Sequence, residues 1–227
     1  ALEKEFGDLK QSKPKDASKK PYKKSDPKPA SGDDDDADDN NDGVKICNYK
    51  KGSEFRGILS HLTEKTMGNI ADNGTISITS ENSHTPDKSD DDNQFQPRNI
   101  VDYDDMSSSF LSDDKPGAFI LFDFKKRSVQ LTGYTLRSNT KKGSTANLKK
   151  WNVDVSNDNK HWTNIDEQSD CGALKSENRV ASFKVQKKLD GFYRYVRIIQ
   201  TGHSFYKLNN HNMFAISKVE FFGKVKE

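Results

Sequence analysis

The chain has 227 residues, with 37 Lys and Arg against 35 Asp and Glu, a net charge of +2, and 31% hydrophobic residues. So even a balance excludes the dense basic face of a typical nucleic-acid binder, and no apolar run reaches the roughly 18 residues a membrane span needs. The charge is unevenly placed: residues 1–43 hold 9 Lys and 12 Asp or Glu, a net of −3, which leaves +5 for the remainder.

In chain order, ALEKEFGDLKQ places Leu2, Phe6 and Leu9 on one face of a short helix over residues 2–11. It is too short to stand alone in water. From Ser12 to Gly43 a Lys/Pro/Ser-rich stretch gives way to the acidic run DDDDADDNND. Such composition cannot bury enough apolar surface to offset the entropy of ordering, so residues 1–43 are expected to be a largely disordered linker. The two cysteines, Cys47 and Cys171, lie far apart and lack Cys-x-x-Cys spacing, so no zinc site is expected. Their low number favours a reducing compartment. No signal-peptide pattern is present, but a chain that begins with Ala makes that uninformative.

After Gly43 the pattern changes to short alternating segments. A helix is expected over Glu54–Lys65, where Phe55, Ile58, Leu59 and Leu62 have helical spacing. Strands are expected at Ile76 and Ile78, at Ile120, Phe122 and Phe124, at Val129 and Leu131 followed by Tyr134 and Leu136, and at Trp151, Val153 and Val155. More follow at Ala181, Phe183 and Val185, and in FYRYVRIIQ, with Val196 and Ile198 on one face. FAISKVEFFG closes the series, with Ala215, Val219 and Phe221 opposite Ile216 and Phe222. WNVDVSNDNKHW reads as a hairpin whose SNDNK turn bonds its own backbone. Trp151 and Trp162 are both expected in the core. Many short strands with few helical stretches predict an all-β sandwich or barrel over residues 44–227. Asp102, Asp104 and Asp105 suit a turn better than a calcium site.

Several of these segments, in this order, resemble the factor V/VIII type C (discoidin) family. They are Trp151, Val153, Ser156, Asn157, Asp158 and Trp162 of the hairpin, then RYVRIIQTG and ISKVEFFG, with GTISITSEN, NIVDYDD and FILFDF upstream. The likeness covers roughly residues 53–225 and is greatest to the intracellular branch of protists and BTB-domain proteins. It implies a discoidin-like jelly-roll whose ligands bind the loops at one end. The secreted branch joins its two ends by a disulfide; here the closing strand has no cysteine, which implies an intracellular, cytoplasmic setting. The resemblance, with the expected linker, also implies an upstream domain beyond these residues.

Carried onto this sequence, the loops are 81–96, 107–117, 138–148 and 202–213. The candidate ligand-binding residues they imply are Phe110, Leu111, Arg137, Lys141, Lys142, His203, Phe205, Tyr206, Asn209, Asn210 and His211. Aromatic faces beside amide and basic groups can hold a sugar ring or a peptide. Phe110 and Leu111 could act as apolar spikes toward lipid, but Asp113 and Asp114 beside them would repel an anionic membrane. No catalytic motif or phosphate loop is present, since GSTAN lacks the Lys a P-loop requires. The sequence therefore predicts a non-catalytic recognition module without a cofactor. A protein or peptide partner is the leading expectation. A glycan ligand, or a structural place in a larger assembly, is the alternative.

Overall fold

The computed structural model describes residues 43–81, 95–142, 146–205 and 211–227. The expected helix at 2–11 and linker to residue 42 lie outside the described residues, as do Tyr206, Asn209, Asn210 and most of the first loop.

The strands are β1 (Val44–Cys47), β2 (Ser77–Thr79), β3 (Phe110–Leu111), β4 (Phe119–Asp123), β5 (Ser128–Ser138), β6 (Trp151–Ser156), β7 (Thr163–Gln168), β8 (Val180–Lys184), β9 (Tyr195–Gln200) and β10 (Ala215–Lys226). They form two antiparallel sheets. One has the order β1-β10-β5-β8, with β3 also paired to β10; the other is β2-β4-β9-β6-β7. Period-two alternation turns one face of each sheet inward. Val129, Leu131, Tyr134, Leu136, Val219 and Phe221 of the first sheet meet Ile120, Phe122, Trp151, Val153, Val155, Val196 and Ile198 of the second. Phe122 and Phe221 pack edge to face across the gap, centroids 4.9 Å apart. The sandwich expected from the strand pattern is what forms.

Polar groups inside this core are linked in a chain, which leaves Asp166 Oδ1 without a partner among the described residues. The Trp151 indole donates to the Tyr134 hydroxyl at 3.0 Å. That hydroxyl donates to Asp166 Oδ2 at 2.6 Å, and Gln168 Nε2 donates to the same oxygen at 3.0 Å. Burial raises the Tyr134 pKa far above its ordinary value, so the phenol keeps its proton as donor.

Three expectations are corrected. The two runs at Val129–Leu131 and Tyr134–Leu136 are one eleven-residue strand. Trp162 leaves the core: it is half-buried, with the Arg197 guanidinium 4.2 Å over its ring. Arg197 is itself held by Asp154 at 2.9 Å, so the indole serves as a surface platform for a paired cation. Ile216 does not share a face with Phe222. A bulge between Ile216 and Lys218 breaks the alternation of β10, and Ile216 joins Val219 and Phe221 in the core.

That shift aims Lys218 and Glu220 at the outer face of the first sheet, where both are fully buried. Glu220 receives the backbone N–H groups of Leu59 at 2.8 Å and Ser60 at 3.0 Å, the first turn of α1 (Ile58–Thr66). It also accepts from the Phe221 N–H at 2.8 Å and the Tyr103 hydroxyl at 3.2 Å. The carboxylate thereby supplies acceptors that a helix start lacks. Burial raises its pKa, opposed by the backbone donors of Leu59 and Phe221. Gly57 makes the approach feasible, because a Cβ there would stand 2.3 Å from the Phe221 carbonyl oxygen. Lys218 Nζ donates to the carbonyls of Asn99, Ser108 and Ser217 at 3.0, 3.2 and 2.9 Å. It ties the 3-10 turn Pro97–Val101 and the segment before β3 to β10.

Glu220→Leu orphans the Leu59 and Ser60 amides, and at about 1–3 kcal/mol per unsatisfied buried donor the variant should lose at least about 2 kcal/mol in denaturant unfolding. Burial lowers the Lys218 pKa to about 8. The folded state then releases this proton before the unfolded chain does, so the burial penalty is complete below pH 8 and fades toward the ordinary lysine value of 10.5. Unfolding curves of wild type and Lys218→Met across that window should show the wild type gaining relative to the variant as pH rises.

Candidate functional site

One end of the sandwich gathers the turn between β3 and β4, the β5–β6 connection and the segment between β9 and β10. Ser112 fastens the first to the last: its N–H donates to the Phe214 carbonyl at 3.0 Å, and its hydroxyl accepts from the Phe214 N–H at 2.9 Å. Two residues on, Asp114 accepts the Asn212 N–H at 2.6 Å through Oδ1 and pairs with His211 Nδ1 through Oδ2. The Asn212 amide lowers the Asp114 pKa most, and His211 and the nearby His203 add to the effect. Asp114 therefore stays ionised beside the His211 imidazole.

Phe205 lies on the same connection as His211, and the Ser204 N–H before it donates to the His211 carbonyl at 3.1 Å. The Phe205 N–H donates to the Asn147 carbonyl at 3.3 Å, and the Lys149 ammonium lies 5.7 Å from its ring centroid. Asp170 holds that ammonium at 2.7 Å. Asn147 in turn accepts the Asn139 N–H at 3.0 Å, and Asn139 accepts the Lys141 N–H at 2.8 Å. The result is a half-buried aromatic ring with a cation at its face, on a segment that also carries the His211 paired to exposed Asp114. An aromatic face with polar groups around it can hold a ring-shaped polar ligand and fix its orientation.

Of the expected residues, His203, Phe205 and His211 lie on the β9–β10 connection at this end, and Lys141 and Lys142 are exposed in the adjoining connection. Phe110 does not project. It is completely buried, paired to Ile216 through β3 and packed against Phe214 with centroids 5.4 Å apart. Its neighbour Leu111 is half-buried in the same short strand, so the pair forms no apolar spike. Arg137 points elsewhere too. It lies opposite Lys218 in the sheet, and its guanidinium reaches Asn178 Oδ1 at 2.9 Å and the Met106 carbonyl at 3.4 Å. Asp114 and Lys149 are the members that sequence reasoning missed. Asp114 and His211 are 97 positions apart, and no local spacing announces such a pair.

Asp102, Asp104 and Asp105 form a turn. Asp102 Oδ1 accepts the N–H groups of Asp104 and Asp105, and Asp105 Oδ1 accepts those of Ser107 and Ser108. Among the described residues no group of His, Cys, Asp and Glu is placed to hold a metal ion. Cys47 and Cys171 are both free thiols. No helix among the described residues is long and apolar enough to cross a membrane.

No curated protein sequence matches the chain. Solved structures do. The C-terminal domain of a chitobiase from Bacteroides fragilis aligns with a TM-score of 0.53 and 16% identity, over 67% of this chain and 96% of that one. CBM32-3 from a family 31 glycoside hydrolase of Clostridium perfringens aligns with a TM-score of 0.50 and 15% identity, over 67% and 93%. A fucolectin from striped bass (Morone saxatilis) serum gives 0.50 and 12%, over 68% of this chain and 48% of that one. At such identities these likenesses establish a shared fold. The F5/8 type C domain family model matches residues 77–216, which run from β2 into the start of β10. With the two-sheet order described above, that match means that this chain belongs to the F5/8 type C domain family.

Proposed function

We propose that the protein is a non-catalytic recognition module that binds a neutral glycan at the end carrying Phe205, His203, His211 and Asp114. The observation that carries this reading is the Phe205 ring, half-buried with the Lys149 ammonium at its face, on the same connection as His211, which pairs with Asp114. A sugar ring has an apolar face of C–H groups and a rim of hydroxyls. Stacking takes the first, and in-plane donors and acceptors take the second. The fold likeness to CBM32-3 and to a fucolectin supports the same ligand class. A peptide would draw instead on an extended apolar groove or a free strand edge, and the compact cluster at this end suits a single ring better. The glycan reading is therefore preferred to the protein or peptide partner that the sequence suggested first.

A glycan array with the full chain, followed by titration calorimetry on the best ligand, tests this. Phe205→Ala should weaken binding about tenfold, roughly 1.4 kcal/mol, with an unchanged thermal midpoint. His203→Ala should weaken it in the same direction. Arg137→Ala should leave affinity unaltered, because its contacts lie on the outer face of the first sheet. An array without hits would sink the reading, and so would a ligand lost on Arg137→Ala but kept on Phe205→Ala.

A further inference from the structure

The connection between α1 and β2 carries Asn73-Gly74-Thr75, the sole Asn-x-Ser/Thr triplet without an intervening proline in the chain. Asn73 and Gly74 are exposed. The triplet is folded into an Asx turn: Asn73 Oδ1 accepts the Thr75 N–H at 3.0 Å and the Thr75 hydroxyl at 2.6 Å. The hydroxyl two residues on thus lies directly on the side-chain amide. Gly74 has φ +77, a conformation that costs glycine nothing.

The turn is well supported. The Ile76 N–H donates to the Ile70 carbonyl at 3.0 Å, and the Asn73 N–H to the Asn69 carbonyl at 3.1 Å. Lys125 Nζ donates to the Gly74 carbonyl at 2.8 Å. A primary amide has two N–H groups. Asn73 Nδ2 gives one to Thr66 Oγ1 at 3.0 Å, and the described structure gives the other no protein partner. A substituent can therefore replace that hydrogen without breaking a contact.

We propose that Asn73 is the acceptor of an N-linked oligosaccharide, donated by a polyprenyl diphosphate-linked sugar, which requires that the domain enter the secretory lumen rather than the cytoplasm that the missing end-to-end disulfide implied. Nδ2 forms a bond to C1 of the first sugar, the C1–O bond to the diphosphate breaks, and the diphosphate leaves with the electron pair. One amide proton passes to a base of the transferase, and nothing is oxidised or reduced. The attachment point lies at the end of the sandwich opposite the candidate site. Asn73 neighbours the Phe124–Arg127 turn that follows β4, whereas the Ala118 end of β4 meets Gln200 beside the site loops. The glycan therefore leaves that surface open, and the inference is independent of what the site binds.

The test is translation of the full chain, behind a cleavable signal peptide, with rough microsomes. The expected result is one added glycan, removed by peptide N-glycosidase with conversion of Asn73 to Asp. Asn73→Gln and Thr75→Ala should each abolish it, and Thr75→Ser should retain it. Glycosylated and enzyme-treated protein should unfold at the same temperature. A protease-protected, signal-cleaved chain of unmodified mass would overturn the proposal, as would a glycan that persists in Asn73→Gln.

Discussion

The first sheet can carry a second layer because one carboxylate, Glu220, is buried beneath the start of α1. A helix presents unsatisfied N–H groups at its first turn, and a sheet face that buries them must offer acceptors. Glu220 accepts from Leu59 and Ser60, while Gly57 lets the backbones approach. Lys218, two residues earlier, does the converse job by donating to carbonyls of the Pro97–Val101 turn and its successor. Two opposite charges on one strand face thereby hold a helix and a loop that apolar contacts alone would leave with unsatisfied backbone groups.

This arrangement rests on a break in strand regularity. Had β10 kept strict alternation, Ile216 would have faced outward with Lys218 and Glu220. The bulge between Ile216 and Lys218 lets the isoleucine enter the core and keeps the charges outside it. A second irregularity, at Phe222 and Gly223, occurs where Gly223 takes φ +135 and a Cβ would stand 2.1 Å from the Gln130 carbonyl oxygen. Both bulges lie on the long β5–β10 pair, which joins the edge strands β1 and β8 into one sheet.

The candidate site draws on this frame differently. Its groups come from connections rather than strands, and the Ser112–Phe214 pair of hydrogen bonds draws two of those connections together. The scaffold contributes rigidity, and the loops contribute the chemistry, the division expected when binding residues sit on connections between packed elements. Strand hydrogen bonds also explain why Phe110 fails as a spike: β3 pairs with β10, so its first side chain turns into the core.

Alternation in segments such as FILFDF and YVRIIQ was enough to place β4 and β9 and to assign their inner faces, because period two is a local property of an extended chain. The discoidin resemblance rested on the same local runs, and the family match confirms it. The four-residue β1 and two-residue β3 were not legible, since strands so short form only where β10 offers a partner. Trp162 was misread because its pattern equals that of a core residue, and only the neighbouring Arg197 and Asp154 make it a surface platform. At the site, His203, Phe205 and His211 could be named from the sequence, whereas Asp114, Lys149 and the exclusion of Arg137 could not. The sequence by itself determined the sandwich and the segments that build it, through local periodicity. The tertiary structure alone decided which distant charges meet, because a pairing such as Asp114 with His211 depends on chain reversals that no local spacing encodes.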